Sequence, residues 1–142
     1  MKQCNIFTYG SLMYKQVWHA VVKGRYRSLK VTLKAYKALA VINQDYPMLV
    51  ESQSGESVEG VLYLDVSPAD ISLLDSFEGA EYLRRPVHVL SENSERPYLP
   101  AEAYVATELG RCHCDTKLWD RSAFEAEGLA RFCEKYIGFS NL

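Results

Sequence analysis

The sequence has no apolar run approaching the ~18 residues a membrane helix needs. Its start, Met1-Lys2-Gln3-Cys4-Asn5, lacks the apolar stretch of a signal peptide. A cytoplasmic protein with no membrane partner is therefore expected. Excess positive charge is missing too: 16 Lys and Arg stand against 18 Asp and Glu, a formal net charge of -2. Phosphate backbones are held by basic side chains, so nucleic acid is not an expected partner. No repeat, low-complexity tract or long linker divides the 142 residues, which read as a single domain over 1–142. A chain of this length buries ~68–70% of its unfolded surface and needs no disulfide or metal to hold a core.

Cysteine is scarce and poorly spaced for a site. Cys4, Cys112, Cys114 and Cys133 make neither a C-x-x-C redox pair nor paired zinc knuckles. Cys112-His113-Cys114 brings three donors together, but a closed zinc site takes four. The remaining histidines, His19 and His88, lie far off in sequence. These residues read as loop or strand-end positions, and no metal is expected. A G-x-S-x-G elbow is also missing, so Ser11 in Gly10-Ser11-Leu12 does not read as a nucleophile.

Tyrosine is what the sequence has in quantity, with 10 Tyr against 5 Phe and 2 Trp. A phenol combines a large apolar body with a hydroxyl that wants a partner when buried. That suits a binding module, an interface or a pocket for polar ligands, and composition does not choose among them.

Patterning gives a coarse map. Residues 4–8 read as a strand running into a turn at Tyr9-Gly10-Ser11-Leu12, and 14–22 as a short helix. Residues 25–42 carry strand-like runs, and Gln44-Asp45-Tyr46-Pro47 marks a loop. Over 57–66, Val58, Gly60, Leu62, Leu64 and Val66 alternate with Glu59, Val61, Tyr63 and Asp65, a half-buried strand. Ser67-Pro68-Ala69-Asp70 supplies a helix N-cap, a first-turn proline and an acid at the third position. The helix places Ile71, Leu74 and Phe77 or Glu78 on one face, and Gly79 stops it. Strands follow at 82–90, with Pro86 fitting only an edge or bulge, and at 101–106. Ser122 to Glu125 reads as a capping box for a last helix carrying Leu129, Phe132, Cys133 and Tyr136 as a core-facing stripe, with Gly138 after it. Helices do not alternate strictly with strands, so a doubly wound parallel sheet is not expected. The expected class is α+β: a mixed, mainly antiparallel sheet curled toward a small barrel with flanking helices.

Two segments carry candidate chemistry. At Tyr9–Leu12 a glycine turn lies between strand and helix, where consecutive free N–H groups form an anion or oxyanion cradle. A plain strand-to-helix turn is the competing reading. At Leu74-Asp75-Ser76-Phe77-Glu78-Gly79-Ala80-Glu81-Tyr82, acids and hydroxyls crowd the end of an apolar helix. Glu78 sits on the boundary of the buried stripe, where desolvation raises a carboxyl toward the range useful for proton transfer. An acid at a helix C-terminus opposes the macrodipole, which disfavours a purely structural role. The competing reading is a solvated helix end. Tyr46, Tyr63, Tyr82 and Tyr104 flank these segments as core or cavity wall.

Together the two segments carry a resemblance. Tyr9-Gly10-Ser11-Leu12 resembles the Y-G-[ST]-L signature of the gamma-glutamylcyclotransferase family. Leu74-Asp75-Ser76-Phe77-Glu78, with Glu81-Tyr82 and Arg84, resembles its L-D-x-F-E and E-Y-x-R segments. Tyr46-Pro47-Met48-Leu49 and Val58-Glu59-Gly60-Val61-Leu62-Tyr63 resemble its Tyr-Pro loop and V-x-G-x-[LV]-[YW] strand. Order and spacing agree over about residues 4–107, and the F-E-G-x-E-Y form is similar to the small γ-glutamylamine or plant avirulence-induced-like branch. The resemblance implies a mixed barrel with an active-site cavity at the Tyr9–Leu12 loop. It implies Glu78 as general acid/base, Tyr9, Gly10, Ser11, Leu12 and Tyr82 as substrate-binding residues, and no cofactor. The implied partner is a small γ-glutamyl amide, cleaved by its own α-amine to release 5-oxoproline.

Such chemistry suits these residues. A tethered α-amine spares the protein a nucleophile. One carboxylate near neutrality then moves the protons, and loop N–H groups stabilise the oxyanion. Two further readings stay open from sequence: a non-catalytic module binding a small ligand on the same fold, and a thiol enzyme using Cys112 or Cys114.

Overall fold

The computed structural model describes residues 2–92, 95 and 97–136. Their sheet elements are β1 (Cys4–Thr8), β2 (Ser28–Lys34), β3 (Tyr36–Val41), β4 (Pro47–Glu51), β5 (Ser57–Val66), β6 (Tyr82–Leu90), β7 (Tyr98–Ala106) and β8 (Cys114–Leu118). Helices are α1 (Lys15–Val21), α2 (Pro68–Glu78) and α3 (Glu108–Arg111). A last helical run joins α4 (Arg121–Ala123), a π-helical turn at Phe124–Gly128 and α5 (Leu129–Tyr136).

Five strands close a ring in the order β1-β5-β2-β6-β7, sealed by a parallel pairing of β1 with β7 at Ile6↔Glu102 and Phe7↔Ala103. From β7 the sheet continues into β4, β3 and β8 through Leu49↔Val105. The α+β expectation of a mainly antiparallel sheet curled into a small barrel with flanking helices is what the chain forms. Inside the barrel pack Phe7, Val31, Leu33, Leu62, Val87, Val89, Ala101 and Ala103, with Tyr9. Outside it, Ile6, Trp18, Tyr63, Ile71, Leu74, Tyr104, Phe124 and Phe132 form a second apolar layer beneath the helices.

The alternation in β5 is interrupted. Cys4 faces Val66, yet Ile6 faces Tyr63, so β5 carries one extra residue there, and Asp65 takes a positive φ of 54°. Val66 thereby leaves the face of Leu62 and joins Tyr63 in the outer layer. Tyr63 is buried rather than solvent-facing because α1 covers it: the Trp18 ring stacks on it at 3.6 Å. Pro86 sits well in β6, which meets β2 only at Thr32↔Leu90 and so has no ladder on that side at the proline.

Local signals place α2 as expected. The Ser67 hydroxyl accepts the Asp70 N–H, Pro68 opens the first turn, and Gly79 leaves the helix with φ 76°. Other expectations need correction. Pro47 starts strand β4 instead of lying in a loop; β4 is buried at Pro47, Met48, Leu49 and Val50, so it shows no alternation. The short α3 and β8, absent from the sequence map, sit between β7 and the last helix. That helix is capped by Asp120, whose carboxylate accepts the Ala123 N–H at 3.0 Å, not by Ser122. Glu125 is engaged elsewhere, accepting the Tyr14 hydroxyl at 2.7 Å. Gly138 lies outside the described residues.

Candidate active site

Glu78 is the last residue of α2, and Gly79 turns the chain so that Ala80, Glu81 and Tyr82 follow it around a cavity. The cavity has two lobes that share Ser11, Tyr46, Glu78 and Tyr82. An inner lobe of about 20 Å³ is walled by the Tyr9–Leu12 turn, Pro47 and Tyr104. That is the room of about one water. An outer lobe of about 230 Å³, open on one side, adds Phe77, Ala80, Glu81, Phe132 and Tyr136.

All six residues singled out from sequence, Tyr9, Gly10, Ser11, Leu12, Glu78 and Tyr82, line the inner lobe. The strand β1 delivers the turn, and its hydrogen bonds run from Met13 N–H to Gly10 O and from Tyr14 N–H to Ser11 O. The Ser11 and Leu12 N–H groups start a helical turn and so have no partner within it. Gly10 has a negative φ of -127°, so its need for glycine is spatial. A Cβ there would meet Pro47 Cδ at 2.8 Å.

Electrostatics single out one group. Burial, and then the Asp75 charge one turn earlier, push the Glu78 carboxyl from 4.5 up to about 8. No donor among the described residues offsets this, and Glu78 lines both lobes of the cavity. Burial, followed by the nearby Glu78 charge, holds the Tyr9 phenol well above its usual range. Tyr82 is raised for the same first reason, with Tyr9 and Glu78 adding to it. Both phenols are therefore neutral donors: Tyr9 to Tyr104 O at 2.6 Å and Tyr82 to Pro47 O at 2.9 Å.

A charged network backs the site. Arg84 donates to both Asp75 oxygens at 3.0 and 3.2 Å and also to Glu102, and the Tyr104 hydroxyl donates to Asp75 at 2.6 Å. Burial would raise Asp75, but these donors outweigh it and keep the carboxyl below its usual range. Tyr104 thus joins the Tyr9–Leu12 turn, through its carbonyl, to the helix that carries Glu78.

Some sequence candidates fall elsewhere. Tyr63 belongs to the outer apolar layer, away from the cavity. His113 faces Glu81 at 3.0 Å, and Cys114 packs on Met48 at 3.6 Å. Among the described residues no group of three metal-ligating side chains gathers. Of the outer wall, Phe77 and Glu81 belong to the segment singled out from sequence, whereas Phe132 and Tyr136 were not legible as a site. Phe132 and Tyr136 read from sequence as core, and Phe132 serves in both core and wall.

A closed mixed barrel with a half-buried glutamate at a helix end, beside a Tyr-Gly-Ser-Leu turn, defines a cyclotransferase-like fold. The chain belongs to the gamma-glutamyl cyclotransferase, AIG2-like family, whose family model matches residues 6–121. AIG2-like protein D of Arabidopsis thaliana is 28% identical over 101 residues, which cover 71% of this chain and 66% of that protein. A protein of Arabidopsis thaliana solved in solution superposes with a TM-score of 0.70 at 22% identity, covering 96% of this chain and 89% of the other. A gamma-glutamyl cyclotransferase superposes at a TM-score of 0.62 and 18% identity, covering 74% and 67%. At these identities the structural likeness speaks for the fold. No helix among the described residues is long and apolar enough to cross a membrane.

Proposed function

We propose that this protein is a cyclotransferase that cleaves a γ-glutamyl amide through the substrate's own α-amine, releasing 5-oxoproline and an amine or amino acid. Glu78 acts as general acid and base. The observation that carries this reading is a carboxyl raised to about 8 that faces a cavity beside the Tyr9–Leu12 turn. Membership of the family supports it.

The γ-glutamyl head lies between the lobes at Ser11 and Glu78, with its carbonyl oxygen toward the free N–H groups of Ser11 and Leu12. The inner lobe has the room of about one water, so the head occupies the space where the two lobes meet. A bound α-ammonium beside Glu78 favours the carboxylate, which then removes a proton from it. The freed amine attacks the γ-carbonyl, the new C–N bond forms, and the oxyanion is held by the turn. Glu78 returns that proton to the departing nitrogen as the old C–N bond breaks, then takes the second proton from the new ring nitrogen and passes it to the freed amine. Over the whole reaction two protons leave the α-nitrogen and two reach the leaving nitrogen, so none is gained or lost. Acyl and proton transfer complete the cycle, with no electron to move and no cofactor to supply one.

A panel of γ-glutamyl amino acids, γ-glutamyl amines, γ-glutamyl-ε-lysine and glutathione tests this reading. At least one member should release 5-oxoproline, and its α-N-acetylated form, which has no free amine, should release none. Binding across the panel without turnover would instead make the protein a small-ligand module on this fold.

A further inference from the structure

We infer that the outer lobe is a leaving-group subsite for an aromatic amine that bears no carboxylate, which makes the substrate class the γ-glutamyl arylalkylamides. This deepens the cyclotransferase reading and rests on it. Continuity comes first. Glu78 belongs to both lobes, and the acid that protonates the leaving nitrogen must touch it. With the glutamyl head toward the Tyr9–Leu12 turn, the leaving group points into the outer lobe.

The wall of that lobe is aromatic. Phe132 lies edge-on to Tyr46 and Phe77 at 6.3 and 6.2 Å, and tilts on Tyr136 at 4.6 Å. Rings prefer such edge and offset partners at 4.5–7 Å, so a further ring can join the cluster. An apolar cavity of ~150 Å³ already accepts benzene, and this lobe offers about 230 Å³. Tyr136 is 44% exposed, so part of its ring is free to be covered.

Charge decides against a carboxylate. No Lys or Arg lines the lobe among the described residues, whereas Glu78 and Glu81 do. The cations of α5 stand outside the lining and are engaged: Arg131 pairs with Asp45 at 2.8 Å, and Lys135 donates to Gln44 at 3.2 Å while lying over the Tyr136 ring at 5.2 Å. A leaving amino acid would bring its carboxylate into a lobe whose own charged side chains are the carboxyls Glu78 and Glu81. Phe132 and Tyr136 lie beyond residues 6–121, the stretch that the family model matches. The C-terminal helix thus supplies two of the wall's rings, beside Tyr46, Phe77 and Tyr82.

The test compares kcat/KM for 5-oxoproline release from three substrates of the full chain: γ-glutamylphenethylamide, γ-glutamylethylamide and γ-glutamylphenylalanine. The first should exceed each of the others at least tenfold. Tyr136→Ala and Phe77→Leu, each removing one ring from the lobe's wall, should each reduce the phenethyl-to-ethyl ratio at least fivefold, through KM. Turnover in which the ethylamide or phenylalanine compound matches the phenethylamide overturns the subsite alone. Ratios unmoved by both substitutions do the same. Absence of 5-oxoproline from all three, with release from another member of the γ-glutamyl panel, overturns the subsite alone; absence from the whole panel as well, with the protein folded, overturns the cyclotransferase reading and the subsite with it.

Discussion

Glu78→Gln is expected to melt about 10 °C above the parent protein at pH 9 and to lose that advantage as pH falls toward 5. The cause is the proton that folding retains. The folded carboxyl titrates at about 8 and the unfolded one near 4.5, so between these values the folded state holds a proton that the unfolded chain has released. Stability therefore falls as pH rises through this window, and the full cost is present above pH 8. Converted at ~1.4 kcal/mol per unit, the cost is on the order of 3–5 kcal/mol. A domain of this size shifts its melting point by roughly 3 °C per kcal/mol. Glutamine keeps the shape and discards the ionisation. Thermal unfolding of both proteins at pH 5, 7 and 9 measures the difference; equal melting points throughout would place the carboxyl at its ordinary value.

The same substitution should lower kcat for 5-oxoproline release by at least ~10³-fold with KM changed only a few-fold. General acid–base catalysis contributes ~10²–10⁴, and in the proposed mechanism one side chain supplies both halves. Glutamine neither accepts the α-ammonium proton nor donates to the leaving nitrogen. In the parent protein the acid limb of kcat/KM should fall near pH 8, because that parameter reports the free protein. The limb of kcat should lie lower, since the bound ammonium favours the carboxylate. Steady-state rates from pH 5 to 9 for both proteins read all of this at once. Removing the Asp75 charge, as in Asp75→Asn, should move the kcat/KM limb toward lower pH as well, because that charge is the second cause of the raised carboxyl.

Glu78 was legible in the sequence because its placement is local. Ser67, Pro68 and Asp70 fix where α2 begins, Gly79 fixes where it ends, and the helix period carries Glu78 to the edge of the buried stripe. The Tyr9–Leu12 turn was legible for the same reason. What surrounds them was not, because long-range closure assembles it. Arg84 faces Tyr104 across β6 and β7, and only that register brings both onto Asp75. Tyr46 and Tyr136 stand 6.2 Å apart at the cavity mouth although 90 positions separate them. Strand β4 hid because it is buried on both faces, and Pro47 in a first strand position reads as a loop signal. Gly10 was read for its conformational freedom, whereas the close approach of Pro47 is what excludes a side chain.

The central claim is that the substrate's own amine, and not water, breaks the γ-glutamyl bond. Mass spectrometry of the product formed in ¹⁸O-labelled water tests it most directly. Cyclotransfer yields 5-oxoproline carrying no oxygen from solvent, because the new bond is to nitrogen. Free glutamate labelled with one solvent oxygen would show hydrolysis and would contradict the role assigned to Glu78 and the Tyr9–Leu12 turn.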